Sequence, residues 1–224
     1  MTAPIRLFST LAVMGGMRDL AAAFQARSGI EIIAEFAPTV ALLQRLRAGE
    51  KADIAILTAQ GVDDLIAEGI MLPNSRTDIA RSFVGVAVKA GAAKPDISTV
   101  RAFQAALLAA RSVAYSKIGA SGLYFAGLIE KLGIAAAVNA KATICASGFT
   151  AERLVSGEAD LAVQQISELM VVDGIEVIGP LPPGVQTEAM FSAGLLTQGA
   201  ADFARFLASA DAAPVLRRTG LEPA

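Results

Sequence analysis

Residues 5–69 read IRLFSTLAVMGGMRDLAAAFQARSGIEIIAEFAPTVALLQRLRAGEKADIAILTAQGVDDLIAEG. Three short, largely apolar pieces, Ile5–Phe8, Ile30–Phe36 and Asp53–Leu57, have the length and β-branched content of buried strands. Between them, Met17, Leu20, Ala21 and Phe24 recur at helical spacing and stop at Gly29. Val40, Leu43 and Leu46 do the same from an expected N-cap at Thr39 to a stop at Gly49. Val62, Leu65 and Ile66 lead to Gly69. Strand and helix alternate three times, which predicts a mostly parallel sheet covered by helices on both faces.

A second series follows Pro73-Asn74-Ser75. Ser82–Lys89 reads as a strand, Gly91–Ile97 as a loop, and Ser98 as the cap of a helix carrying Phe103, Leu107 and Leu108. Strands are expected at 112–115, 140–145 and 160–164, with helices at 121–132 and 149–156. Pro180, Pro182, Pro183 and Gly184 break the pattern before a long strand near 187–195 and helices near 199–209 and 211–218. The fold class is therefore α/β. Two lobes are expected, 1–81 with 188–224 and 82–187, with hinge crossings near 79–83 and 184–190 and a ligand cleft between the lobes.

Several expected strands end in hydroxyl or glycine residues that open a helix: Ser9-Thr10, Pro38-Thr39, Gly119-Ala120-Ser121-Gly122 and Ser147-Gly148. Helix starts carry unpaired N–H groups and the positive end of the helix dipole, so convergent starts suit a small anion. Composition agrees. Hydrophobic residues make up 54% of the 224 residues, charged residues 18%, and the formal net charge is −2. No Lys/Arg cluster exists, which argues against nucleic acid or an anionic membrane surface as partner.

There is no histidine and a single cysteine, Cys145. Zinc centres, Ser-His and Cys-His nucleophiles and internal disulfides are thereby excluded, and no metal or cofactor is expected. No apolar run reaches the length of a membrane span. Met1–Pro4 pass almost directly into a strand without a secretory leader pattern. The chain is expected in the cytoplasm, or in the periplasm if a leader is removed from it.

The chain resembles the type II periplasmic binding proteins, closest to the molybdate-binding proteins of ABC importers. The likeness rests on the order and spacing of segments across nearly the whole length: Phe8–Ala12 before Met17–Leu20, Phe36–Leu42, Ala52–Ile56, Ala120–Tyr124, Glu130–Gly133, Gly157–Leu161 and Leu216–Leu221. It implies a two-lobed fold, an ABC permease as partner, and a monomer. It also implies an oxyanion held without counter-charge by hydroxyls, main-chain N–H groups and a tyrosine. The first serine position falls on Ala12, beside Ser9 and Thr10, and the second on Thr39. The third, usually a small apolar residue, falls on Ser121. The fourth falls near Ser147-Gly148, and the tyrosine position on Gln165. Two hydroxyls are lost and one gained, so anion binding is implied and molybdate in particular is not.

Val163–Leu169 and Gly179–Pro182 are similar to relatives not devoted to molybdate. Among the relatives of these binding proteins, aconitate isomerases move a double bond in a small tricarboxylate. Three functions therefore stand side by side: a solute-binding protein for a small oxyanion or carboxylate, a cofactor-free isomerase of an unsaturated polycarboxylate, and a ligand-sensing module. The candidate ligand residues are Ser9, Thr10, Thr39, Ser121, Ser147 and Gln165, with Gln164 as the alternating partner of Gln165. Lys117 is either a carboxylate partner or a solvated loop lysine. Glu152 and Glu168 are either proton-transfer bases or solvated helix residues, and Tyr115 and Tyr124 either line the cleft or pack in the core.

Overall fold

The computed structural model describes residues 3–224; Met1 and Thr2, and so the start of the lead-in Met1–Pro4, lie outside them. By its internal contacts the chain divides into two units: residues up to Ser82 with Ala189–Ala224, and Phe83–Glu188. The first unit opens with strand β1 (Ile5–Ser9), a short 3₁₀ turn, helix α1 (Met14–Ser28), β2 (Ile32–Phe36), α2 (Thr39–Arg47), β3 (Ile54–Thr58) and α3 (Ala59–Ala67). β1 lies between β2 and β3, parallel to both, with Leu7 opposite Ala34 on one side and Ile54 on the other. The alternation of the strands sends successive side chains to opposite faces. Leu7, Ile54 and Ile56 meet Met17, Leu20 and Phe24 of α1 on one face; Phe8, Ala55 and Leu57 meet Leu42, Leu46 and Leu65 of α2 and α3 on the other.

β4 (Thr77–Lys89) is one thirteen-residue strand, longer at its start than the expected Ser82–Lys89, and it carries the chain from the first unit into the second. There follow α4 (Val100–Ala109), β5 (Val113–Ser116), α5 (Ala120–Lys131), α6 (Ala135–Asn139), β6 (Ala142–Cys145), α7 (Glu152–Val155), β7 (Leu161–Gln165), α8 (Ile166–Leu169) and β8 (Ile175–Pro180). β5 runs parallel to β6 and β7, while β7 and β8 pair antiparallel with β4. Val86, Phe103, Tyr115, Phe125 and Val163 form one face of this unit's core; Ala87, Ala114, Leu154, Ala162 and Leu169 form the other.

The chain returns to the first unit through β9 (Glu188–Leu195), which pairs antiparallel with β3 from Ile54–Leu195 to Thr58–Phe191. α9 (Ala201–Leu207), α10 (Ala213–Arg218) and the two-residue β10 (Glu222–Pro223) finish it. Phe203 and Phe206 of α9 stack on Phe24 with ring centroids 5.0 and 5.7 Å away. Each such buried ring is worth roughly 1.5–3 kcal/mol.

The structure corrects four local expectations. Pro38 takes the cap position of α2, and Thr39 is the first helical residue. Proline's fixed φ and missing N–H suit a helix start, and its carbonyl accepts the first ladder bond, from Leu42 N. Thr99, not Ser98, caps α4, its hydroxyl accepting from Ala102 N–H; Ser98 N–H instead donates to Asp96. On α2, Val40 is 51% exposed while Leu42 and Leu46, one helical turn apart, are buried, so the buried face passes through Leu42 and not through Val40. The helix at 149–156 shortens to Glu152–Val155.

Candidate functional site

Parallel strands deliver all their carboxyl ends to one edge, where the helices that follow begin; ligands of such sheets collect there. In the first unit that edge carries Ser9-Thr10 after β1, Ala37-Pro38-Thr39 after β2 and Thr58 after β3. The loops are tied to one another. Thr10 N–H donates to Ile56 O at 2.9 Å, and Ala37 N–H to Ser9 O at 3.1 Å. Ser9 is fully buried and its hydroxyl turns back onto Thr10 O at 3.2 Å. Thr39 Oγ1 donates to Thr10 Oγ1 at 3.3 Å, so two of the expected ligand hydroxyls meet. The amides of Thr39, Val40 and Ala41 precede the ladder of α2 and keep their donor capacity.

In the second unit, β6, β5 and β7 end side by side. Ser116 closes β5, level with Cys145 at the end of β6. Ser116 Oγ accepts from Ile118 N–H and Gly119 N–H, both at 3.2 Å, and so folds the chain into the start of α5. α5 lies so close to β5 that a Cβ on Gly122 would stand 1.7 Å from Ser116 O. Its first ladder bond runs from Leu123 N–H to Gly119 O, leaving the amides of Ala120, Ser121 and Gly122 ahead of it. Ser121 is only 4% exposed, and among the described residues its hydroxyl has no hydrogen-bond partner. Among the described residues no fully enclosed side-chain polar atom lacks a partner, so this hydroxyl opens on solvent. It is a nearly buried donor beside three free amides. Lys117, exposed in the same loop, forms no ion pair among the described residues.

Ser147 is exposed in the loop after β6, next to Gly148, whose φ of +75° is left-handed. Gln164 and Gln165 end β7 and are both buried. Gln164 Oε1 accepts from Thr150 N–H at 2.8 Å and Thr150 Oγ1 at 2.9 Å. Glu168 is half-buried on α8, where the Gln164 side chain and the Gln165 backbone favour its carboxylate form. Burial outweighs both and pushes its carboxyl up to about 7. Glu152 by contrast is exposed on α7. Tyr115 and Tyr124 bond to Asn139 Oδ1 and Val185 O, and the buried Tyr115 hydroxyl is pushed up by desolvation. Burial also pushes up the Cys145 thiol.

The expected ligand residues thus fall into two groups: Ser9, Thr10 and Thr39 on one edge, and Ser121, Ser147 and Gln165 on the other. Sequence reasoning passed over Ser116, which shapes the α5 loop, and Thr150, which fixes Gln164. The hydroxyl of Thr150 so soon after Gly148 was the available signal. A separate cavity of about 580 Å³ lies at the opposite, amino end of β7, lined by alanines with Lys89, Lys94 and Arg111. Those cations are engaged by Val155 O, Glu176 and Asp160, so that cavity offers no free charge to an anion. Among the described residues no cluster could hold a metal ion, and no helix is long and apolar enough to cross a membrane.

Comparison with known proteins places these edges in context. The family model described as bacterial extracellular solute-binding protein matches residues 5–222. An aconitate isomerase from Pseudomonas is 33% identical over 230 residues, covering 98% of this chain and 87% of that protein. Two solved structures share the fold at low identity. The periplasmic molybdate-binding protein of Azotobacter vinelandii superposes with a TM-score of 0.78 at 18% identity, over 97% of this chain and 98% of that one. A sulfate-binding protein of Mycobacterium tuberculosis gives 0.72 at 16% identity, over 100% and 87%.

Proposed function

The chain belongs to the bacterial extracellular solute-binding protein family and has its two-lobed α/β fold, and from that premise we propose that it captures a small carboxylate anion. The observation that carries this reading is the start of α5. There the nearly buried Ser121 hydroxyl and the amides of Ala120 to Gly122 form a neutral donor set, with the unpaired Lys117 nearby. Ser147 and Gln165 of the same unit are further candidate donors, and Thr10 and Thr39 form a separate candidate donor group at the strand ends of the first unit. Fixed dipoles of this kind hold an anion without a balancing charge and lose little in reorganisation.

The choice of a carboxylate over a tetrahedral oxyanion is supported by the relative at 33% identity, whose name gives aconitate as its substrate. A thermal-shift panel of cis- and trans-aconitate, citrate, molybdate, tungstate, sulfate and phosphate tests it. A ligand at about a hundred times its Kd adds roughly 2.7 kcal/mol, which raises Tm by several degrees in a chain of this size. Stabilisation by the polycarboxylates alone is the expected result. Stabilisation by the tetrahedral oxyanions alone overturns it.

The same relative favours a second reading, in which the bound polycarboxylate is isomerised. As a receptor in the periplasm the protein hands its ligand to an ABC permease; as an isomerase it requires none. Proton NMR of trans-aconitate incubated with the protein separates the two.

A further inference from the structure

We propose that Thr150 and Gln164 are positioning residues: their buried clasp holds the Ser147–Phe149 loop against the end of β5, where Ser147 joins the donors of α5; this rests on the reading of the α5 start as a carboxylate site.

The strand ends fix where the loop can lie. Ser116 on β5 is level with Cys145 on β6. On the other side of β5, Val113 pairs with Leu161 and Ala114 with Ala162, and the same step carried to the strand end sets Ser116 level with Gln164. The three ends therefore stand in a row about 10 Å wide, two strand spacings, with Ser116 in the middle. The chain leaves β6 at Cys145 and is caught again at Thr150, whose N–H and Oγ1 donate to Gln164 Oε1 at 2.8 and 2.9 Å. Five residues reach at most about 17 Å, so residues 146–149 have room for one turn and must pass close to the end of β5. Gly148, with its φ of +75°, supplies that turn.

The loop and α5 flank β5 from opposite faces. Phe125 of α5 packs with Tyr115 and Val163, whereas Leu154 of α7 packs with Ala114 and Ala162. Helices that leave adjacent strands for opposite faces open a crevice at the strand ends, and small ligands of such sheets sit there. One wall is the start of α5 with Ser121, and the other is the loop. Alternation along β7 puts Gln164 on the side of the loop and Gln165 on that of α5.

The clasp is out of reach of water: Thr150 and Gln164 are both buried. Two donors of one residue converge there on one oxygen, and losing that oxygen would leave both unpaired. Ahead of the clasp, the N–H groups of Ser147, Gly148 and Phe149 and the Ser147 hydroxyl have no acceptor among the described residues. They do not tie the loop to the sheet. The Gln164 side chain does, and it leaves them available to a ligand.

The test uses the full chain with trans-aconitate as probe, Kd by titration calorimetry, and Tm as a check on folding. Ser147→Ala should weaken binding about 10-fold, the loss of one hydrogen bond to a charged group. Thr150→Val keeps the shape and the backbone donor but not the hydroxyl, and should weaken binding about 5-fold; Gln164→Leu removes the acceptor for both donors and should weaken it about 10-fold or more. Thr150→Ser should restore wild-type affinity. Ser147→Ala combined with Thr150→Val should lose about 10-fold rather than the roughly 50-fold product, because the two act through one group. A loss equal to the product, or wild-type affinity in Gln164→Leu, overturns the positioning role. Without ligand, amide hydrogen exchange at Ser147–Phe149 should speed up about 10-fold in Thr150→Val and recover in Thr150→Ser. Unchanged exchange overturns the clasp. Wild-type protein that fails to bind trans-aconitate overturns the carboxylate reading alone, since the exchange measurement still decides whether the clasp holds the loop.

Discussion

Ser121 shows what a hydroxyl can be for when the fold makes no use of it. Among the described residues every fully enclosed polar side-chain atom has a partner, and Ser9 and Ser116 spend their oxygens on neighbouring backbone. Ser121→Ala should therefore leave urea-unfolding stability within about 0.5 kcal/mol of wild type. Ligand affinity by titration calorimetry should fall roughly 10- to 100-fold, the loss expected for a hydrogen bond to a charged group. Glu168 makes the reverse case. Its carboxyl is raised from 4.5 to about 7 in the folded chain. Its stabilising contribution is therefore complete below about 4.5 and is lost as pH rises through about 7. Glu168→Gln does not titrate, so its stability relative to wild type should rise between pH 4 and 8 by ~3 kcal/mol, at about 1.4 kcal/mol per pKa unit, measured by denaturant unfolding. The hydroxyls were legible in the sequence because strand–hydroxyl–helix is a local pattern. Glu168 read first as a solvated helix residue, since its burial on α8 is a property of the fold and not of the spacing.

At the scale of single elements, the start of α5 is set by a close approach rather than by a cap. Gly119 stands at the cap position with no side chain to give, and Gly122 lets the helix sit against the Ser116 carbonyl. A methyl group at Gly122 meets backbone that cannot turn aside, so Gly122→Ala should cost about 3 kcal/mol or more and shift α5 away from β5. Its Tm should fall by several degrees, and ligand affinity should fall with it because the α5 amides move. The strands and longer helices were legible from period and from terminal glycines such as Gly29 and Gly133, both left-handed in the structure. α6 and α8 escaped, because four- and five-residue helices carry less than two full periods. The caps of α2 and α4 each moved by one residue, where two adjacent residues compete for the same role and tertiary packing decides between them.

For the molecule as a whole, the two strand–helix series foretold an α/β chain with a parallel arrangement in each half, and β9 and β4 added the antiparallel strands that periodicity does not orient. The two units differ in how they close. Residues 83–188 contain both faces of their own core, so this fragment should fold alone, with a cooperative thermal transition by circular dichroism. Residues 1–82 lack Phe191, Phe203, Leu207 and Leu216 of their core and should not show one. The order of synthesis then matters. As the protein leaves the ribosome, the later-made middle portion is complete while the earlier-made front portion still waits. Until β9 emerges, β3 is an open edge presenting Ile54, Ile56 and Leu57, and nascent or truncated chains are there most exposed to sticking to one another.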